Sequence, residues 1–425
     1  MKKKKLLFQK SSELNLLDLT YFWVSGVIIY FLLFPFKLDS IIEVFIPITL
    51  VFSLVIFYSF FLSKLFKNPK GFAYLLFFSI SIFSFFGLTE TLTGKASYFT
   101  SSYLYGLSFY TLSLAYWIYS HKDLKIMDTL KFSNPILLST GPIIILLKSL
   151  RHKSFSSRLN YFLPFLMVGI FFFQILSVPL TSTFFLIEKT DVVSLIVFGV
   201  IFELFVYTNF CGLSLILYGI LGILGYGIPL NFQQPFSSNN LIEFWRGWHI
   251  TLSRVLKILF YDETRKYFPA SVSLFFVFFA SSMWHGVSFN FFIWGVFHTV
   301  TFILTIFLLK HKQALLSSIL MFIGIIFGRI IFADNDINRL LEKFKFNFKD
   351  FEVFETISNL PSAVLLSIFL SISLVAFEFS FKRKKFMIKK NYKFLRSPFA
   401  LLCMALIFIL FVSDFGDSFA IYGQR

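Results

Sequence analysis

Three of the chain's six histidines fall in one stretch of otherwise apolar and aromatic sequence. His249 closes the run FWRGWH, which starts at Phe244 and also holds Trp245, Arg246 and Trp248. A short charged bridge, YDETRKYF, leads to a second apolar run ending in SSMWHG, where His285 follows Ser281, Ser282 and Trp284. Asn290 comes next, and His298 lies 13 residues beyond His285 in FFIWGVFHTV. Imidazole titrates near neutral pH, which makes it the side chain best matched to proton transfer there. It is also costly to place in lipid, so an ionisable group kept there marks a functional site. The chemistry that fits is proton transfer, and an apolar setting favours the neutral imidazole that can accept the proton. Each residue also has a plainer reading. Trp245 and Trp248 can form an interfacial aromatic belt, and a lone histidine on an apolar helix is often structural.

These residues need a housing, and composition says what kind. Of 425 residues, 57% are hydrophobic and 14% charged, with a mean hydropathy of +0.78. Soluble domains carry about 25% charged residues, so there are too few charges here to cover a soluble surface. The expected fold is all-α: a polytopic transmembrane protein forming one domain over residues 1–425. About eleven apolar runs fall near 20–36, 41–61, 72–88, 103–119, 161–179, 191–207, 271–287, 291–309, 315–333, 362–380 and 398–413. Each is close to the ~20 residues that cross a bilayer. On one continuous helix, Trp245 and His249 would stand one turn apart.

The net charge of +17 follows topology rather than nucleic acid. With the N-terminus cytoplasmic, the inner segments hold Lys2–Lys5, Lys10, Lys64, Lys67, Lys70, the cluster Lys122–Arg158, the bridge around Arg265, Lys310, Lys312 and the run Lys382–Arg396. The outer segments hold only Lys37, Lys95, Lys189, Arg339, Lys343, Lys345 and Lys349. That bias is the positive-inside pattern, with contact to membrane lipid as a second use. No basic-aromatic module for nucleic acid is visible. Residues 1–19 read as a cytoplasmic basic tail rather than a cleavable signal, and the C-terminus is expected outside. The two cysteines, Cys211 and Cys403, show neither metal spacing nor a disulfide framework. Cys211 reads as a small buried residue rather than an acyl-carrying nucleophile.

Several segments bear on the route to the histidines. Ile136–Leu147 is too short to span, is flanked by basic residues and is broken at Thr140-Gly141-Pro142. It reads as a re-entrant hairpin, which is tolerated only against protein or a water-filled cavity. Residues 103–119 carry Ser108, Tyr110, Thr111, Tyr116 and Tyr119, which suit bonding between helices. The run from Tyr207 through Asn209 and Ser214 continues past Gly212, Gly219, Gly222, Gly225 and Gly227, with Pro229 and Pro235 expected to end its helix. Glu43 and Glu203 are the main acids inside apolar runs.

FWRGWHITLS followed by SSMWHGVSFNFFIWGVFH resembles the signature of the membrane-bound O-acyltransferase (MBOAT) family, and especially its bacterial alginate O-acetylase and teichoic-acid D-alanyl transferase branch. Supporting segments occur in the same order: YGLSFY at Tyr105–Tyr110, Thr140–Ile143, YTNFCGLS at Tyr207–Ser214 and, more weakly, GRIIFAD at Gly328–Asp334. Together they cover about residues 100–335. The chain departs from the pattern at Gly247, where the family has a second arginine, at Asn209, where it has aspartate, and in a shortened stretch between the two histidine motifs.

The resemblance implies helices around a central tunnel. It implies transfer of an acyl group, acetyl or D-alanyl, from a cytoplasmic thioester to a hydroxyl of a cell-envelope or exported polysaccharide. His285 falls at the family's catalytic position, and His249 would position or polarise the donor. Trp245, Arg246, Trp248, Asn209, Ser282, Trp284, Asn290 and His298 would line the substrates, with Ser281, Ser282, Asn209 or Asn290 supplying oxyanion contacts. The donor would be acyl-CoA or an acyl-carrier protein, with no tightly bound cofactor and no metal. A separate extracytoplasmic acyltransferase partner is implied, as is the bacterial inner membrane. The alternative class is a non-enzymatic transporter or scaffold with a polar-lined path. The sequence shows no internal repeat to support it.

Overall fold

The computed structural model describes residues 15–33, 70–78, 112–120, 134, 143, 145–188, 191–285, 288–333, 337–345 and 357–380. These are mostly helical. The expected runs at 41–61 and 398–413, the Tyr105–Tyr110 segment, Thr140-Gly141-Pro142 and the basic run Lys382–Arg396 lie outside the described residues. Five described helical segments are long and apolar enough to cross a membrane: Phe155–Thr183, Val192–Leu224, Phe289–Lys310, Ala314–Phe332 and Ser362–Ser380. Two shorter apolar helices, Leu16–Ile28 and Ala270–His285, accompany them.

The elements in order are α1 (Leu16–Leu33), β1 (Lys148–Ser149), α2 (Phe155–Ile170), α3 (Val192–Leu224), β2 (Tyr226–Gly227), α4 (Leu241–Gly247), α5 (Ile250–Leu256), α6 (Ala270–His285), α7 (Phe289–Lys310), α8 (Ala314–Phe332), α9 (Ile337–Lys343) and α10 (Ser362–Ser380). Residues 70–78 and 112–120 are helical as well. Beyond α2 the helix widens to a π-turn over Phe171–Ser177 and then tightens to 3-10 over Val178–Glu188. Pro179 has no N–H to return to the turn behind it, so the helix changes pitch around it.

Asp191 starts α3 by accepting the Ser194 N–H at 2.8 Å. The helix then runs for 33 residues to Leu224 and stops short of the prolines expected to end it. Pro229 and Pro235 do not end it. Gly225 does, at φ +104, a conformation that glycine takes without steric cost.

The described contacts group into two compact units. Unit 1 comprises residues 1–168, 214–231 and 412–425. In it, β1 and β2 form a two-residue antiparallel bridge pairing Lys148 with Gly227. Tyr226 packs on Phe22 at 4.8 Å, and Tyr218 on Phe162 and Phe165 at 5.2 and 5.0 Å. A Cβ at Gly219 would sit 2.7 Å from that of Leu166, which is the close helix approach its spacing suggests.

Unit 2 comprises residues 169–213 and 232–411 and holds all three clustered histidines. Here α6 packs along α7 and α7 along α8, with α4 laid against α7 and α8. α10 packs on the π and 3-10 segments and on the short turn Pro235–Ser237. The unit's packing is strongly aromatic, with Phe198, Phe202, Phe205 and Tyr207 all deeply buried on α3.

Candidate functional site

His249 owes its place to a broken helix. Asn240 caps α4 by accepting the Glu243 N–H at 3.0 Å, and Glu243 reaches back to the Asn239 N–H at 3.3 Å. α4 ends after seven residues at Gly247. Trp248 is extended, and His249 is left-handed at φ 41 before α5 begins. Trp245 and His249 are therefore not neighbours on one helix face, as a continuous helix would have made them. Gly247 is why the chain can turn here. The Gln233 N–H donates to its carbonyl at 2.9 Å, and a Cβ on residue 247 would sit 2.9 Å from the Gln233 oxygen. A left-handed non-glycine residue costs about 1–3 kcal/mol and persists only where its surroundings fix it. Trp248 is the fixing point. Its ring packs with Tyr207 at 5.9 Å, Phe232 at 5.0 Å and Phe244 at 5.4 Å.

The three histidines form a chain of ring contacts with tryptophan between them. His249 meets Trp284 at 5.9 Å, and Trp284 meets its neighbour His285 at 4.8 Å. His285 meets Trp294 at 5.9 Å, and Trp294 meets His298 at 4.5 Å. Trp245 closes on His298 at 5.2 Å. His285 ends α6 and is half-buried, with Phe332 of α8 edge-on at 4.9 Å. His249 is buried against Phe210 at 4.7 Å, and neither of its ring nitrogens has a hydrogen-bond partner among the described residues. It lies in the turn between two short helices, outside the spanning ones. Burial first, and His285 second, hold its imidazole well below the usual value and so neutral at physiological pH. The His298 Nδ1 and the indole nitrogens of Trp245 and Trp294 also lack partners among the described residues. A small cavity with room for about one water lies between Phe244, Trp245, His298, Ile325, Gly328 and Arg329.

Residues 52–315, more than half of the chain, match the membrane-bound O-acyltransferase family. The chain belongs to that family. Among the similar proteins are a probable alginate O-acetylase of Pseudomonas putida, 34% identical over 22% of this chain and 20% of the relative. A peptidoglycan O-acetyltransferase of Helicobacter pylori is 34% identical over 23% of this chain and 18% of the relative. A teichoic acid D-alanyltransferase of Bacillus subtilis is 26% identical over 23% of this chain and 28% of the relative. The chain thus matches between 18% and 28% of the length of these curated relatives. It is a multi-pass, mostly helical membrane protein of the MBOAT family.

The MBOAT match includes all three histidines, and the structure sorts the residues expected beside them. Trp245, Trp248, Trp284, His249, His285 and His298 share the cluster. Arg246 is exposed and outside it. Ser282 is buried but donates to its own helix, to the Phe279 carbonyl at 2.7 Å. Ser281 is buried one residue earlier. The Asn290 amide is engaged by the Ser288 hydroxyl and by the Ile331 carbonyl, the latter at 3.5 Å. Asn209 is buried on α3, and its amide nitrogen is without a partner among the described residues. Of these polar groups, Asn209 is the freest to meet a substrate oxygen.

Three residues of the site, Trp294, Arg329 and Glu378, were not singled out in the sequence, and Glu203 was noted only as an acid in an apolar run. Trp294 joins His285 to His298. Arg329 pairs with Glu203, and Glu378 accepts the Tyr207 hydroxyl at 2.5 Å. The available signal was charge itself. An arginine or glutamate in an apolar run needs a partner, and Arg329, Glu203 and Glu378 all lie in such runs.

Proposed function

We propose that the protein transfers an acyl group, acetyl in the first instance, from a cytoplasmic thioester to a hydroxyl of a cell-envelope or exported polysaccharide. The observation that carries this is the meeting of His249 and His285 on either side of Trp284 in a chain of the MBOAT family. His285 takes the proton of the acceptor hydroxyl as its oxygen attacks the thioester carbonyl. The tetrahedral intermediate collapses with loss of thiolate, which receives the proton from the imidazolium. His249, buried and neutral, meets the donor side and polarises or orients the thioester. Asn209 offers an N–H to the developing oxyanion. The surrounding indoles keep water from competing as acceptor.

The donor in this reading is acyl-CoA or an acyl-carrier protein, and an extracytoplasmic acyltransferase works beside the protein on the polymer. About eleven spans form one domain around a tunnel. The N-terminus faces the cytoplasm of a bacterial inner membrane and the C-terminus the outside, as the lysine distribution favours. Transfer of D-alanyl is the second reading, favoured by the likeness to a teichoic acid D-alanyltransferase.

The test is thiol release by the purified full chain in detergent. The donors are acetyl-coenzyme A and a D-alanyl carrier thioester. The acceptors are an alginate oligosaccharide, a peptidoglycan fragment and a teichoic acid. Release that depends on donor, acceptor and His285 supports the reading. Release retained in His285→Ala overturns it.

A further inference from the structure

Two side chains outside the histidine motifs carry opposite charges deep in unit 2. Glu203 on α3 and Arg329 on α8 stand 126 positions apart, and Arg329 Nε donates to Glu203 Oε2. Only 8% of the arginine and 5% of the glutamate side chain is exposed. An ion pair at that depth is expensive to build and adds little stability over an apolar pair. Its surroundings give it a task. The guanidinium carbon lies 4.8 Å from the centre of the Trp248 ring and 5.9 Å from that of Phe332. Trp248 is the extended residue that hands the chain to left-handed His249. Phe332 is the ring packed edge-on against His285 at 4.9 Å. One planar cation therefore contacts the anchor of the His249 turn and also the ring beside His285, while Glu203 fixes where that cation sits.

We propose that Arg329, clamped by Glu203, is a positioning residue that holds His249 and His285 in their mutual geometry. Neither charge is needed merely to fill space, since leucine and methionine pack such positions more cheaply. Both lie on helices that carry none of the three histidines. Arg329 also lies beyond residues 52–315, in the segment Gly328–Asp334 that resembles the family only weakly. A guanidinium suits the role because it can stack its flat face on indole while its edge is hydrogen-bonded, which an ammonium cannot do.

The inference rests on the acyl-transfer reading, and its test uses thiol release by the purified full chain with acetyl-coenzyme A and the three acceptors. Arg329→Lys keeps the charge and can still pair with Glu203, but it loses the flat face. It is expected to elute as the wild type does, with KM for acetyl-coenzyme A unchanged and kcat lowered about 10-fold to 100-fold. The exchanged pair, Glu203→Arg with Arg329→Glu, restores charge neutrality but moves the cation off α8. It is expected to fold and still to turn over slowly. Full kcat in Arg329→Lys, or recovered kcat in the exchanged pair, overturns the proposal and leaves the pair as mutual neutralisation. Where the exchanged pair does not accumulate, the lysine variant decides. His285→Ala, run alongside, separates the two readings. If it keeps turnover, the acyl-transfer site is misassigned. If it is inactive while the arginine variants are fully active, only the positioning role fails.

Discussion

Each unit gathers polar side chains around an aromatic ring, but they use them differently. In unit 1, Arg151 pairs with Asp18 at 2.6 Å and lies over the Tyr21 ring, and the Tyr226 hydroxyl donates to the Asp18 carbonyl at 3.0 Å. These groups satisfy one another, and the Arg151 side chain is 45% exposed. In unit 2, the ring nitrogens of His249, the Nδ1 of His298 and the indole nitrogens of Trp245 and Trp294 have no partners among the described residues. A buried polar group left unpaired costs about 1–3 kcal/mol. The first arrangement holds the chain together, whereas the second keeps donors and acceptors unspent at a structural cost. The proposed acyl-transfer site would need the second kind.

The contrast breaks most sharply at His285. Replacing it with alanine is expected to lower thiol release by about 10²-fold to 10⁴-fold, the usual range for a positioned acid or base, with elution in detergent unchanged. Next is Gly247→Ala. Its new methyl meets the Gln233 carbonyl, which is backbone and cannot easily give way. The turn should shift, with a loss of about 1–3 kcal/mol in thermal unfolding and a fall in kcat larger than the stability loss implies. Tyr207→Phe removes the hydrogen bond to Glu378 and leaves a buried carboxyl group short of a partner. A loss of about 1–3 kcal/mol is expected in the same unfolding measurement, together with weaker fixing of Trp248. The smallest effect should come from unit 1. Asp18→Asn weakens an exposed pair worth about 0–1 kcal/mol, and thiol release should not change. A large catalytic loss there would erase the distinction between the two clusters.

Much of the site was legible because its histidines are rare and sit in motifs whose tryptophans travel with them. FWRGWH and SSMWHG singled out His249 and His285, and the family resemblance gave them a joint role; that both rings meet the same tryptophan is a finding of the structure. The turn between Trp245 and His249 was not legible. Nothing in FWRGWH forbids a continuous helix. The break comes from the backbone of Gln233 and Pro235 pressing on Gly247, a contact between segments that no local pattern encodes. The departure at Gly247 thus has a steric reason, since no side chain fits there. The length of α3 was misjudged for a related cause. Prolines are strong breakers, but Gly225 had already ended the helix before Pro229 was reached.

The sequence by itself determined that this chain lives in a membrane, that it is helical, and that three of its imidazoles fall in one apolar stretch. Those conclusions follow from composition, from the length of apolar runs and from the price of an ionisable group in lipid, all of which are local sums over residues. Only the tertiary structure decided which charges face which rings. Glu203 meets Arg329, Tyr207 meets Glu378, and Arg329 covers Trp248, because helices distant in sequence pack side by side. A one-dimensional pattern records that each buried charge needs a partner, but the choice of partner belongs to the packing.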